Sequence, residues 1–201
     1  NKVQSAIGTT VSTYRYLRSG WVLPKLGALG FAFSFAGSWS GAWTVLRVPA
    51  SSLEAVIPIL IIIVAGVTFL RRNFGVNEQQ REIGSREYTL AAGFAFVLGF
   101  YDGFFGPGTG SFLAFGFVLL FQFGFLRATA HAKLLNLASN YAAILAFAFS
   151  ITIAWSIAIP MGIANIAGAW TGAGLAIKGG SKVIKPVFGL VLLGLLVKLL
   201  W

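Results

Sequence analysis

The sequence predicts an all-α, polytopic membrane helix bundle built from two inverted repeats and a broken, re-entrant helix hairpin. Three observations carry that expectation. Of 201 residues, 57% are hydrophobic and 10% are charged, against roughly 25% charged in soluble domains. Charge is absent over long runs: Leu134 to Ile177 holds none in 44 residues. At about 1.5 Å per residue that run would reach about 66 Å, twice the hydrocarbon core of a bilayer, so it reads as two crossings. Finally, a gapless shift of 131 residues lays the two ends of the chain on each other. Lys2 then falls on Lys133, and Gly37-Ser-Trp39-Ser-Gly41 falls on Gly168-Ala-Trp170-Thr-Gly172.

In chain order, Val3 to Tyr14 reads as a helix ending before Arg15 and Arg18. Leu26 to Leu46 is uncharged and long enough to span. Ala55 to Leu70 spans if Leu53 extends it past Glu54. Tyr88 to Leu126 differs, because its apolar stretches, Tyr88 to Tyr101 and Ser111 to Leu126, are short. The segment Asp102 to Gly110 between them holds four glycines and a proline, which no regular helix tolerates. Two half-length helices around a break are expected there, with the irregular backbone enclosed by protein or lining a water-filled cavity. The two crossings of Leu134 to Ile177 turn near Ser150 to Trp155. Pro186 to Val197 makes a last crossing, with Lys198 and Trp201 at the interface.

Loop charge sets the expected orientation. Arg71, Arg72, Arg81 and Arg86 crowd one loop, placed in the cytoplasm. Alternation then puts Arg15, Arg18, Lys25, Arg127, Lys178, Lys182 and Lys185 on the same face and Arg47 outside. The basic Arg15 to Lys25 loop corresponds to the uncharged turn near Ser150, so the repeats are inverted, as in secondary transporters. The expected organisation is repeat one at 1–70, a basic cytoplasmic loop at 71–87 and repeat two at 88–201. Repeat one has no counterpart of Tyr88 to Arg127, and the chain starts at Asn1 inside a helix. Both features predict an N-terminally truncated transporter.

Composition excludes much chemistry. There is no cysteine, hence no disulfide, thiolate or zinc–sulfur site. One histidine (His131), one aspartate (Asp102) and four glutamates (Glu54, Glu78, Glu82, Glu87) leave no carboxylate metal centre and no Ser-His-Asp triad. No enzyme activity, metal or cofactor is expected. The net charge of +10 would suggest nucleic acid in a soluble protein; here it belongs first to the loops, and the expected partners are lipid and a small anion.

Asp102 is the lone acid within an apolar segment, some 20 Å deep at about 1.5 Å per residue. It reads as a functional group, with a route for proton coupling, or as a structural acid that caps a half-helix or pairs with a base. The loop Gly106, Pro107, Gly108, Thr109, Gly110, Ser111 leads into a helix whose first amides suit an oxyanion. The alternative is that its glycines only permit a tight helix crossing. Lys133, Asn136 and Asn140 share one helix face, and Lys2, Ser5 and Thr9 are their repeat equivalents. A cation with amide and hydroxyl donors suits a hydrated oxyanion; interhelical hydrogen bonding is the other reading. His131, near the expected cytoplasmic edge, reads as a loop-end residue ahead of a proton carrier. Trp39 and Trp170, between matched glycines, read as packing. The resulting expectation is a secondary transporter of small anions working by alternating access. The rival is a membrane scaffold or accessory subunit whose glycine faces bind other helices.

The run Gly99-Phe-Tyr-Asp-Gly-Phe-Phe-Gly-Pro-Gly-Thr-Gly-Ser111, followed by Ala130-His-Ala-Lys133 and Asn136, closely resembles the second-half signature of the sulfite exporter TauE/SafE (TSUP) family. Asn1 to Thr10 is similar to that family's first-half Thr-Asn-Lys motif without its threonine. The resemblance covers essentially the whole chain and is nearest the family's YfcA-like branch. It implies a bacterial inner-membrane carrier with two repeats, moving sulfite, sulfonates or related sulfur anions. The family's first-half glycine-rich motif is absent from this chain, which puts half of the implied site in doubt.

Overall fold

The computed structural model describes residues 1–49, 83–148, 150, 154–180 and 182–184. The expected spans at 55–70 and 186–197, the Arg71 to Arg81 loop, Lys185, Lys198 and Trp201 lie outside them. The described residues form six α-helices and no strands: α1 (Lys2–Arg18), α2 (Pro24–Val45), α3 (Ser85–Phe104), α4 (Thr109–Phe121), α5 (Phe125–Ala148) and α6 (Trp155–Gly179).

The helix boundaries follow local chemistry. Pro24 opens α2, where its missing N–H costs nothing. The Glu87 carboxylate accepts from the Gly84 amide, 3.0 Å, and fixes the start of α3. The break between α3 and α4 turns on Gly106 (φ +92°) and Gly108 (φ +79°), conformations that a side chain disfavours. Tyr101 Oη donates to the Pro107 carbonyl, 2.7 Å, and pins that loop. Gln122 ends α4 in the left-handed region, and Phe123 N donates back to Phe117 O. Ile83 and Tyr88 share one apolar cluster with Phe121, Phe123 and Phe125. The α3–α4 hairpin therefore returns to the end from which it started.

Two boundaries differ from the sequence expectation. α1 continues through Arg15 to Arg18, because Arg15 finds a place over the Trp170 ring, 4.4 Å from its centroid. α5 starts at Phe125, well before the uncharged run opens at Leu134, taking Arg127 and His131 into the helix. His131 is fully buried. Leu23 N donates to its Nε2, 3.1 Å, and its Nδ1 lies 2.9 Å from the Arg127 carbonyl. With one nitrogen accepting, the other carries the proton. His131 thus fastens the α1–α2 loop to α5, an interior clamp rather than a loop-end group.

Small residues bring the helices together. A methyl added to Gly37 or Gly41 of α2 would strike the α3 backbone at Phe96 and Phe100. One added to Gly99 or Gly103 of α3 would strike Ser34 and Ser38. Such contacts gain dispersion energy that bulkier residues would forfeit. Ser34 Oγ and Ser38 Oγ donate to the Leu135 and Ser139 carbonyls of α5 at 2.9 and 2.7 Å. The order of these contacts makes α2, α3 and α5 parallel. α6 runs with α1, since Ile7 meets Gly162, Gly8 meets Asn165 and Arg15 meets Gly174. Lys2 lies at Asp102 beside Ser139, and the loop after α1 lies at His131, so α1 runs opposite to α5.

The 131-residue shift appears as geometry. α2 and α6 begin 131 residues apart, at Pro24 and Trp155. Asn165 Nδ2 donates to the Gln4 carbonyl, 3.0 Å, the shifted equivalent of the Ser34 to Leu135 bond. Thr10 touches its own equivalent, Tyr141, hydroxyl to hydroxyl at 3.1 Å. Together with the opposed directions of α1 and α5, these contacts fit a local two-fold relating α1 to α5 and α2 to α6, each related pair running in opposed directions. These directions gather Arg15, Arg18, Lys25, Arg86, Arg127, Lys178 and Lys182 at one end of the bundle, with Arg47 at the other.

No described helix is by itself long and apolar enough to cross a membrane. The expectation for Leu26 to Leu46 and for Leu134 to Ile177 rested on absent charge. Those helices are diluted by inward-turned small and polar residues: Ser34 and Ser38 on α2, Asn136, Ser139 and Asn140 on α5.

The packing predicts a contrast within α2 and α3. Gly41→Ala should destabilise by about 2 kcal/mol, an overpacking cost. Gly93→Ala, where an added methyl meets nothing within 4 Å, should not. Thermal unfolding of the two purified variants checks this.

Candidate functional site

Asp102 is 2% exposed near the C-terminal end of α3. Lys2 Nζ lies 2.8 Å from its Oδ1 and donates to its backbone carbonyl at 2.6 Å. Ser139 Oγ donates to Oδ2 at 2.5 Å. Both carboxylate oxygens are therefore answered, one by a cation, and α1, α3 and α5 are tied at one point. A buried carboxylate without such partners would be costly. Of the two sequence readings of Asp102, this geometry matches pairing with a base. It also engages Lys2, expected on sequence to face an anion. Gly106 sits against this pair: a methyl there would lie 3.2 Å from Lys2 Nζ.

Lys133 has different surroundings. It lines a cavity of about 430 Å³ between α1, α5 and α6, together with the predicted Ser5, Thr9 and Asn136. Lys133 is the lone charged group among the described lining residues, and no described carboxylate pairs with it. Sequence reasoning missed Ser12, Tyr16, Thr129 and Asn165, which also line it. Ser12 continues the Ser5–Thr9 face by helical spacing, and Asn165 is the repeat equivalent of Ser34. Both signals were present in the sequence.

The polar groups here are not equal. Thr9, Ser12 and Thr129 each donate to a carbonyl one turn back in their own helix, so they offer lone pairs to the cavity. Asn140, 2% exposed, donates its Nδ2 to Asn136 Oδ1 at 3.2 Å. That bond makes Asn136 Oδ1 an acceptor and leaves its Nδ2 as the donor end of a side chain that lines the cavity. Asn140 is thus a positioning residue behind Asn136. The donors among the described lining residues include the Lys133 ammonium, the Asn136 amide and the hydroxyls of Ser5 and Tyr16.

Gly108, Thr109, Gly110 and Ser111 form the start of α4 and are not among the residues lining this cavity. Thr109 Oγ1 donates to the Gly106 carbonyl, 2.7 Å, and closes the turn locally. The sequence reading put Asp102 and the Gly106 to Ser111 amides at a central site, with Lys2, Lys133, Asn136 and Asn140 lining its cavity. The structure separates them into the Lys2–Asp102 pair beside the break and the Lys133 cavity. Asn136 bridges the two, because its carbonyl also lies 3.0 Å from Ser139 Oγ.

A helical bundle whose polar interior sets a lysine beside a cavity, with no described carboxylate paired to it, fits a membrane transporter. Residues 1–199 match the sulfite exporter TauE/SafE family, and the chain belongs to that family. It is 38% identical over 200 residues to the probable membrane transporter protein ORF9 of Sinorhizobium sp, covering all of this chain and 76% of that one. It is 37% identical over 201 residues to the probable membrane transporter protein YfcA of Escherichia coli K12, covering all of this chain and 74% of that one. A probable membrane transporter protein of Haemophilus influenzae is 29% identical over 187 residues, covering 93% of this chain and 72% of that one. No solved structure matches the chain.

The pair at Asp102 predicts a strong coupling. Asp102→Asn and Lys2→Met should each destabilise by about 3 kcal/mol, because each leaves a buried partner unanswered. The double variant should lose less than the sum by more than about 1 kcal/mol. Denaturation of the four proteins of that cycle gives the value.

Proposed function

We propose that this protein is a secondary transporter of small oxyanions, of the sulfite or sulfonate class, working by alternating access in a bacterial inner membrane. The observation that carries the reading is the cavity around Lys133, where the lone charge among the described lining residues is positive. An anion entering it meets the ammonium and the Asn136 amide together. Charge-assisted hydrogen bonds of this kind are worth about 1.5–3 kcal/mol each. A tetrahedral or pyramidal oxyanion presents several oxygens and fits two donors at once. The sulfur class rests on the family's name.

The multi-pass arrangement is supported by the basic residues gathered at one end of the bundle, which becomes the cytoplasmic face. Repeats at 1–70 and 88–201, joined by the basic loop at 71–87, supply the inverted halves. The opposed directions of α1 and α5, and of α2 and α6, support rocking of one half against the other. Protons enter as a coupling ion at Asp102. Lipid and the anion are the partners, and no catalytic step is required.

Flux of sulfite and of a small alkylsulfonate into proteoliposomes tests the reading. Lys133→Ala should reduce flux at least about tenfold, the loss of one charge-assisted contact. Lys133→Arg, which keeps the charge, should retain a measurable part of it. Wild-type flux in Lys133→Ala would remove the site from the proposal.

A further inference from the structure

The Lys133 cavity carries acceptors as well as donors. Thr9 Oγ1 donates to the Ser5 carbonyl and Thr129 Oγ1 to the Phe125 carbonyl, each at 2.7 Å. Ser12 Oγ donates to the Gly8 carbonyl at 3.1 Å. A hydroxyl has one proton and two lone pairs. With the proton held in its own helix, each of these three lining groups has only lone pairs to give a ligand. Asn165 adds a fourth acceptor to the lining. Its Nδ2 donates to the Gln4 carbonyl at 3.0 Å, and its Oδ1 sits over Gly8, where a methyl would strike it.

The acceptors come from three helices: Thr9 and Ser12 from α1, Thr129 from α5 and Asn165 from α6. Lys133 and Asn136 follow Thr129 along α5. An oxyanion held by those two donors therefore meets lone pairs from α1 and α6 as well. A bare oxyanion, all acceptor, has nothing to offer them. It sets lone pair against lone pair, or turns a hydroxyl out of a 2.7 Å carbonyl bond. An oxyanion that keeps one acidic O–H answers both halves of the lining. Its charged oxygens go to the ammonium and the amide, and its O–H goes to a lone pair. Its single negative charge also matches the lone cation among the described lining residues.

We propose that this site selects the acid form of an oxyanion: a monoanion that keeps one O–H, such as hydrogensulfite, in preference to an equally charged anion with none. Thr9 and Thr129 are the specificity-determining residues, through lone pairs that accept that O–H. The substrate then carries a proton with it through the cavity. The inference rests on Lys133 as an anion site and adds a choice among anions.

Two anions of one shape and charge isolate the acceptors. Methanesulfonate and the methylphosphonate monoanion each carry oxygens and one methyl on a tetrahedral centre, but only methylphosphonate keeps an O–H. Their binding to the full-length protein in detergent is measured by calorimetry, buffered below neutrality so that methylphosphonate stays a monoanion. Methylphosphonate should bind at least about fivefold more tightly, the worth of one hydrogen bond. Replacing both Thr9 and Thr129 by valine keeps their shape and removes their lone pairs. In that double variant the two affinities should converge, with methylphosphonate alone weakening. The milder Thr129→Ser, which keeps its acceptor, should keep the preference. The wild-type ratio alone can overturn the proposal. Equal affinities, both lost in Lys133→Ala, leave the anion site standing and remove the selection. Binding of neither anion removes the site as well. A preference that survives in the double variant belongs to the greater basicity of phosphonate oxygens and also overturns the proposal.

Discussion

A carboxylate enclosed among apolar helices is tolerated only when a cation and hydrogen bonds answer it. Asp102 meets that condition with Lys2 and Ser139, and much else follows. The pair fixes the start of α1 against the end of α3. It places the glycine break beside α5. It also engages the one buried acid among the described residues, and no described carboxylate is left to pair with Lys133. The two repeat-equivalent lysines thus differ in whether a described acid lies in reach.

The second organising constraint is steric. Helices that meet through glycine and serine bring their backbones close enough for hydroxyls to reach carbonyls on the neighbouring helix, as Ser34 and Ser38 do on α5. Where a larger side chain would stand, the bundle would open and those bonds would lengthen beyond use. The same small residues lower the mean apolarity of the helices. Close packing and weak hydropathy are thus two results of one choice of residues.

Much of this was legible in the sequence. The uncharged runs located α2 and α6, the four glycines and Pro107 located the break, and the 131-residue shift anticipated the opposed helix pairs. Helical spacing put Lys133 and Asn136 on one face, and both line the cavity. Three features were not legible. Spacing along one helix does not reveal a partner on another, so Asp102 kept two readings, a functional group or an acid capping a helix or paired with a base, and Lys2, a hundred residues away, was expected to face the anion. His131 and Arg127 read as a charged edge because a buried histidine can be recognised only through the backbone groups that satisfy it. The start of α4 was grouped with the lysines because its distance from them depends on how the hairpin folds back.

The central claim is that an anion is held at Lys133 and Asn136 rather than at the glycine break. A structure determined with bound selenate, located by its anomalous signal, tests this most directly. The account predicts selenium within about 4 Å of both Lys133 Nζ and Asn136 Nδ2, as oxygen-mediated hydrogen bonds require. Selenium at the first amides of α4 beside Ser111, with the Lys133 cavity empty, would contradict it.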